Sequence, residues 1–250
     1  MNIQTITCSD PREDTPVDTL VEFMNEYPDV EVAVQATPSK MARGLPRKAW
    51  FESLVRAVRN NPRALNLAVH VNMDWCDRMC AGEIPADLYD SFGAMRPDGA
   101  SVIRRWQLNY SGSGTAVFDA LGVASMMIRY PDREFILQYD GTQKNMARIL
   151  ELDGFYKSFS VLYDASNGNG IKATDYSAPV FGHKTGYSGG LNAANVADAL
   201  DRISVVAGRT PIWIDAEGGL KTPGTKTFDI SRARDYVNAV YDWRARNKAR

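Results

Sequence analysis

The sequence predicts a single closed eight-stranded α/β barrel spanning residues 1–250. Apolar, β-rich runs alternate with helical patterns along the whole chain, and the last two strand-to-helix turns each carry a glycine pair. Alternation implies parallel strands joined by right-handed crossovers, and 250 residues suit one (β/α)8 barrel. The two turns read Ser188-Gly189-Gly190-Leu191-Asn192 and Ala216-Glu217-Gly218-Gly219-Leu220. A glycine pair there lets backbone N–H groups approach a ligand, and the following helix aims its positive end at the same spot. Phosphate sites in such barrels usually sit after strands seven and eight. The expected ligand is therefore a small phosphorylated metabolite.

The strand candidates are Ile3–Cys8, Val30–Ala36, Leu65–Val71, Val102–Leu108, Glu134–Tyr139, Phe159–Tyr163, Val180–Thr185 and Pro211–Asp215. Helical spacing marks Val17–Asn25, Lys48–Asn60, Thr115–Arg129, Gln143–Leu152, Asn192–Val206 and Ile230–Asn247. The third helix, around Pro85–Phe92, is weak, and the sixth is at best one turn near Asp175. Met73–Ala100, with Cys76, Pro85, Pro97 and Gly99, is the most irregular stretch. It reads as an insertion after strand three, and such an insertion is expected to cover the top of the barrel.

Composition excludes several classes. A net charge of -1, from 29 basic and 30 acidic side chains, gives no reason to expect nucleic acid or an anionic membrane as partner. No apolar run approaches the ~20 residues of a membrane span. Met1-Asn2-Ile3-Gln4-Thr5 has neither a basic region nor an apolar signal core, so the expected location is cytoplasmic. The expected state is a monomer or homodimer. Cys8, Cys76 and Cys80 are too few and too scattered for a disulfide framework. With only His70 and His183 beside them, no metal site is expected.

Residues at the carboxyl ends of barrel strands face the active site. Those ends supply Cys8, Arg43, Asn72, Gln107 and Asn109, Gln138 and Asp140, Asp164, and Asp215 with Glu217. A thiol and a carboxyl group on different strands can work as base and acid if their environments separate their pKa values. A lone strand-end Cys is also a common apolar filler, and a strand-end Asp a common helix cap.

The motifs point further. Val161-Leu162-Tyr163-Asp164-Ala165-Ser166-Asn167-Gly168-Asn169-Gly170, followed by Ala173-Thr174-Asp175-Tyr176, resembles the sixth strand and loop of phosphoribosylanthranilate isomerase. Ser188-Gly189-Gly190-Leu191-Asn192-Ala193-Ala194-Asn195-Val196 is similar to that family's seventh turn. Ile214-Asp215-Ala216-Glu217-Gly218-Gly219 with Pro223-Gly224-Thr225-Lys226 is similar to its eighth. Ile6-Thr7-Cys8-Ser9-Asp10 with Glu13-Asp14, Val69-His70-Val71-Asn72 and Gln107-Leu108 follow the family's order over the first 110 residues.

The resemblance implies an Amadori rearrangement of an N-substituted aminoaldose phosphate to the 1-amino-1-deoxyketose, without metal or redox cofactor. Cys8 matches the family's general base and Asp164 its general acid. Ser188, Gly189, Gly190, Glu217, Gly218 and Gly219 would hold the phosphate side, and Gln107 another wall. Arg43, with Arg47 as alternative, would grip the aglycone carboxylate. The base role calls for a Cys8 pKa below the free value of ~8.5. Ser9 replaces the glycine after the family's Cys, and Asn109-Tyr110 replaces a His-Gly. Two other readings stand beside this one: a sugar-phosphate lyase or aldolase on the same barrel, with Lys184 as its only strand-end lysine, and a non-catalytic phosphometabolite-binding barrel.

Overall fold

A computed structural model describes residues 1–110, 118–164, 173 and 175–248. Eight parallel strands close into a barrel in sequence order, with the last pairing the first. They are β1 (Asn2–Ser9), β2 (Val30–Ala36), β3 (Asn66–Val71), β4 (Ile103–Leu108), β5 (Glu134–Tyr139), β6 (Ser160–Tyr163), β7 (Lys184–Tyr187) and β8 (Pro211–Ala216). The helices are α1 (Val17–Glu26), α2 (Pro38–Met41), α3 (Pro46–Asn60), α4 (Met73–Cys80), α5 (Tyr89–Phe92), α6 (Ala120–Arg129), α7 (Gln143–Asp153), α8 (Val196–Ala207) and α9 (Ile230–Lys248).

Local chemistry explains the helix starts. Pro46 opens α3, where its fixed φ fits and its missing N–H costs nothing. Asp119 and Thr142 cap α6 and α7 by accepting from the N–H groups of Gly122 and Asn145. Apolar side chains then bury against the outer face of the barrel, such as Leu20 and Phe23 of α1 or Leu200 and Ile203 of α8. Residues 111–117, the expected start of the fourth helical stretch, lie outside the described residues, as do residues 165–172 and 174 of the sixth-strand motif.

Two expectations need correction. Met73–Ala100 is not an insertion over the barrel mouth but the β3–β4 crossover itself. Trp75, Cys76, Met79, Cys80, Leu88 and Phe92 all bury in the layer between strands and solvent. The segment reaches the opposite end of the barrel, where Arg96 donates to the carbonyls of Val58, Asn61 and Arg63. At α4's end Gly82 packs so closely on Gly122 that a Cβ would come within 2.6 Å of the Gly122 carbonyl oxygen.

The seventh strand also starts later than expected, at Lys184 rather than Val180. Before it, residues 175–180 contain no regular element. Aromatic packing fills in for a helix: Tyr176 meets Tyr187 edge-on at 5.7 Å and carries Arg202 against its ring at 5.4 Å. The Tyr187 hydroxyl donates to the Ser177 carbonyl.

Inside the barrel, the lower layer is charged rather than wholly aliphatic. Arg105 (β4) pairs with Glu31 (β2) at 2.8 Å and with Glu134 (β5) at 3.3 Å. Lys184 reaches Glu134 at 3.5 Å. Trp213 lies across this layer, with the Arg105 guanidinium 4.4 Å from its ring centroid, and packs with Ile136 and Leu162. Its ring occupies the space a Cβ at position 186 would need, 2.0 Å away, so β7 requires Gly186. Above this floor a polar chamber opens at the carboxyl ends of the strands.

Candidate active site

The chamber has a volume of about 260 Å³ and is lined by His70, Gln107, Asn109, Gln138, Leu162, Asp164, Ser188, Gly189, Gly190, Asp215, Glu217, Gly218 and Lys221. Every strand from β3 to β8 contributes to it directly or through the loop that follows. Asp164 follows β6, and one of its oxygens accepts from the Gln138 amide at 3.0 Å. Asp215, next to last in β8, accepts from the Ser9 hydroxyl at 2.5 Å. His70 Nε2 lies 3.9 Å from the other Asp215 oxygen.

Burial decides the protonation of this group. Asp215 is buried, and with Glu217, Glu31 and Asp164 as anionic neighbours its pKa rises to about 8, against the stabilising bond from Ser9. His70 is pushed down to about 3, by burial first and then by the Arg105 cation. Near neutral pH the His70–Asp215 contact therefore joins a neutral imidazole to a protonated carboxyl group and is no ion pair. A carboxyl group that keeps its proton to about pH 8 is a proton donor matched to neutral conditions.

One side of the mouth is ionic. Glu217 accepts from Gln35 at 2.7 Å and from Lys221 at 2.7 Å. Lys221 also reaches Asp10 at 2.9 Å. Burial pulls the Lys221 pKa down, but the two carboxylates outweigh it and hold the amine above its usual range. Asp10 is fully buried in a left-handed conformation (φ 65°) directly after β1. It also takes Arg12 at 2.5 Å, with Arg47 at 3.7 Å.

The Gly189-Gly190 turn is pinned from behind. The Gly190 carbonyl accepts from Asn195 at 2.9 Å and from Asn192 at 3.4 Å. Gly189 and Gly190 have φ of 112° and 63°, which side-chain-bearing residues rarely adopt. Among the described residues the N–H groups of Gly189, Gly190 and Gly218 enter no backbone hydrogen bond. Gly218 has nothing within 4 Å of where a Cβ would stand.

The structure thus gathers Gln107, Asp164, Ser188, Gly189, Gly190, Glu217 and Gly218 around one chamber. Cys8, Arg43 and Gly219 lie elsewhere. On β1 the Thr7 and Ser9 hydroxyls turn into the barrel, to Glu31 and Asp215. By strand alternation Cys8 then faces outward, into the apolar layer under the helices. There burial, with Asp215 and Glu31 adding to it, raises its pKa well above the usual thiol value, opposite to the expectation for a base. Arg43 sits exposed in the turn after α2, and Arg47 is buried and bound to Glu13 at 2.6 Å. Gly219 is a packing glycine: a Cβ there would meet the Leu191 carbonyl oxygen at 2.1 Å, so it lets the two glycine turns touch.

All three cysteines are buried. The native protein is expected to take up no iodoacetamide at pH 7 and to take it up at all three once unfolded. Rapid labelling of native Cys8, read by mass spectrometry, would contradict the outward, desolvated placement.

His70 and Lys221 are site residues that reading strand ends did not single out. His70 could have been found as the polar member of Val69-His70-Val71 at the end of a strand. Lys221 lies beyond the eighth turn and shows its role only through Asp10, far away in sequence. Lys184, the lysine the aldolase reading needs, starts β7 at the far end of the barrel and is bound to Glu134. Among the described residues no three His, Cys, Asp or Glu side chains converge as metal ligands, and no helix is long and apolar enough to cross a membrane.

The fold and site define a barrel with an acid–base chamber at the carboxyl ends of its strands. Comparison with models of known protein families gives no match, and neither does comparison with curated proteins.

Proposed function

We propose that the chain is an enzyme acting on a small sugar phosphate, an aldose–ketose isomerase of the phosphoribosylanthranilate isomerase type, with carboxyl groups in place of the thiol. The observation that carries this is the convergence of Asp164, a protonated Asp215 and both glycine turns on one chamber. The turns at Gly189-Gly190 and Gly218 receive the phosphate, with Lys221 adding positive charge. Asp215 donates its proton to the furanose ring oxygen, and the ring opens to the imine. Asp164 takes the proton from C2 to give the enolamine. Loss of the C2 hydroxyl proton and protonation of C1 complete the ketose. His70, held neutral, serves as a hydrogen-bonding partner and not as a cation.

The test uses phosphate first, then substrate. Inorganic phosphate should bind the parent protein by calorimetry, and N-(5-phosphoribosyl)anthranilate should be turned over to the ketose. A valine at position 218 meets no neighbour and so enters the chamber itself. Gly218→Val is expected to raise KM at least about tenfold, the scale of losing one charge-assisted hydrogen bond, in a barrel that still melts cooperatively. Equal phosphate binding by parent and variant would place the cradle elsewhere.

A further inference from the structure

We propose that Asn72 and Asn109 hold Gln107 with its carbonyl oxygen turned into the chamber, as the acceptor for the substrate's C2 hydroxyl. The identity of the donor rests on the sugar-phosphate reading above; the amide chain does not. Asn72 Nδ2 donates to the His70 carbonyl at 2.9 Å. Asn109 Nδ2 donates to Asn72 Oδ1 at 2.9 Å, and Gln107 Nε2 donates to Asn109 Oδ1 at 2.8 Å. A backbone carbonyl can only accept, so the first step sets the polarity of the whole chain. Each amide must present its nitrogen toward His70 and its oxygen toward the next residue. Gln107 is the last, and its Oε1 is left facing away from Asn109.

That oxygen is buried and has no hydrogen-bond partner among the described residues. A buried acceptor without a donor is unfavourable, and the side chain lines the chamber, where a ligand can supply one. Its place specifies which donor. Gln107 pairs in register with His70, which adjoins Asp215. Asp164 stands in the same chamber, held by Gln138. The carbon that loses its proton must lie among these groups, and it carries a hydroxyl. Gln107 is thus a substrate-binding residue, oriented by Asn109 and Asn72, that favours a substrate with an O–H at that carbon.

Two measurements test this separately. In binding by calorimetry, the parent should prefer ribose 5-phosphate over 2-deoxyribose 5-phosphate by about tenfold. The ratio should fall to about one in Gln107→Leu and in Asn109→Leu. A ratio of one in the parent, or an unchanged ratio in Asn109→Leu, overturns the acceptor role. If Gln107→Leu does not fold, Asn109→Leu carries the comparison. Failure of both sugars to bind the parent overturns the sugar-phosphate reading together with the hydroxyl assignment. The amide chain is judged without ligand: the Gln107 side-chain NH2 should exchange slowly by ¹⁵N NMR in the parent and fast in Asn109→Leu. Fast exchange in the parent overturns the chain itself.

Discussion

Replacing Asp215 by Asn is expected to lower kcat at neutral pH by about 10²- to 10⁴-fold, the usual scale for losing a general acid, with KM little changed. Asparagine keeps the shape and can still accept from Ser9, so the loss reports the proton and not the packing. In the parent, kcat/KM should fall as pH rises through about 8, where Asp215 gives up its proton. That alkaline limb should be missing from the residual rate of the variant. Stability carries the same signature. The folded pKa lies above the unfolded value of ~3.9, so the native state binds the extra proton. The contribution is complete below about pH 4 and is lost as pH climbs through about 8. The parent Tm should therefore decline over that window more steeply than that of Asp215→Asn. Asp164→Asn should lose kcat on the same scale, whereas Cys8→Ala should stay within a few fold. The reverse pattern, with Cys8→Ala inactive and Asp215→Asn active, would restore the thiol as base and sink the carboxyl mechanism.

Strand ends were legible because a barrel repeats one simple unit. Val30–Ala36 and Glu134–Tyr139 are strands over the very residues their apolar runs predict. From those ends Gln107, Gln138, Asp164 and Asp215 follow directly. The face of a strand residue was not legible at β1. A shift of one residue turns every side chain to the other side, and nothing local in Ile6-Thr7-Cys8-Ser9 says which of Cys8 and Ser9 points inward. The bonds from Thr7 to Glu31 and from Ser9 to Asp215 settle it, across 24 and 206 residues of sequence. Met73–Ala100 misled for another reason: its glycines and prolines broke the periodicity. Trp75, Cys76, Met79 and Cys80 still kept a helical stripe, the signal for α4. The lumen network left the faintest trace, a single charged residue such as Glu31 flanked by Val30 and Val32.

That network underlies the largest stability effect expected. Arg105→Met should destabilise the barrel by about 3–5 kcal/mol near neutral pH, because it strands a buried carboxylate without its partner. Glu31 is almost wholly inside, and burial already raises its pKa above the usual carboxyl range, against the pull of Arg105 and the Thr7 hydroxyl. Without the guanidinium that pKa rises further, and Glu31 folds protonated. A folded pKa above the unfolded one means stability lost as pH rises, so the deficit of Arg105→Met should grow from about pH 5 upward and shrink in acid. Adding Glu31→Gln should recover much of it, since the methionine then faces a neutral amide that Thr7 can still reach. Guanidinium unfolding at pH 5 and pH 8 reads both effects. A pH-independent loss that Glu31→Gln does not relieve would assign the role of Arg105 to its packing on Trp213 rather than to its charge.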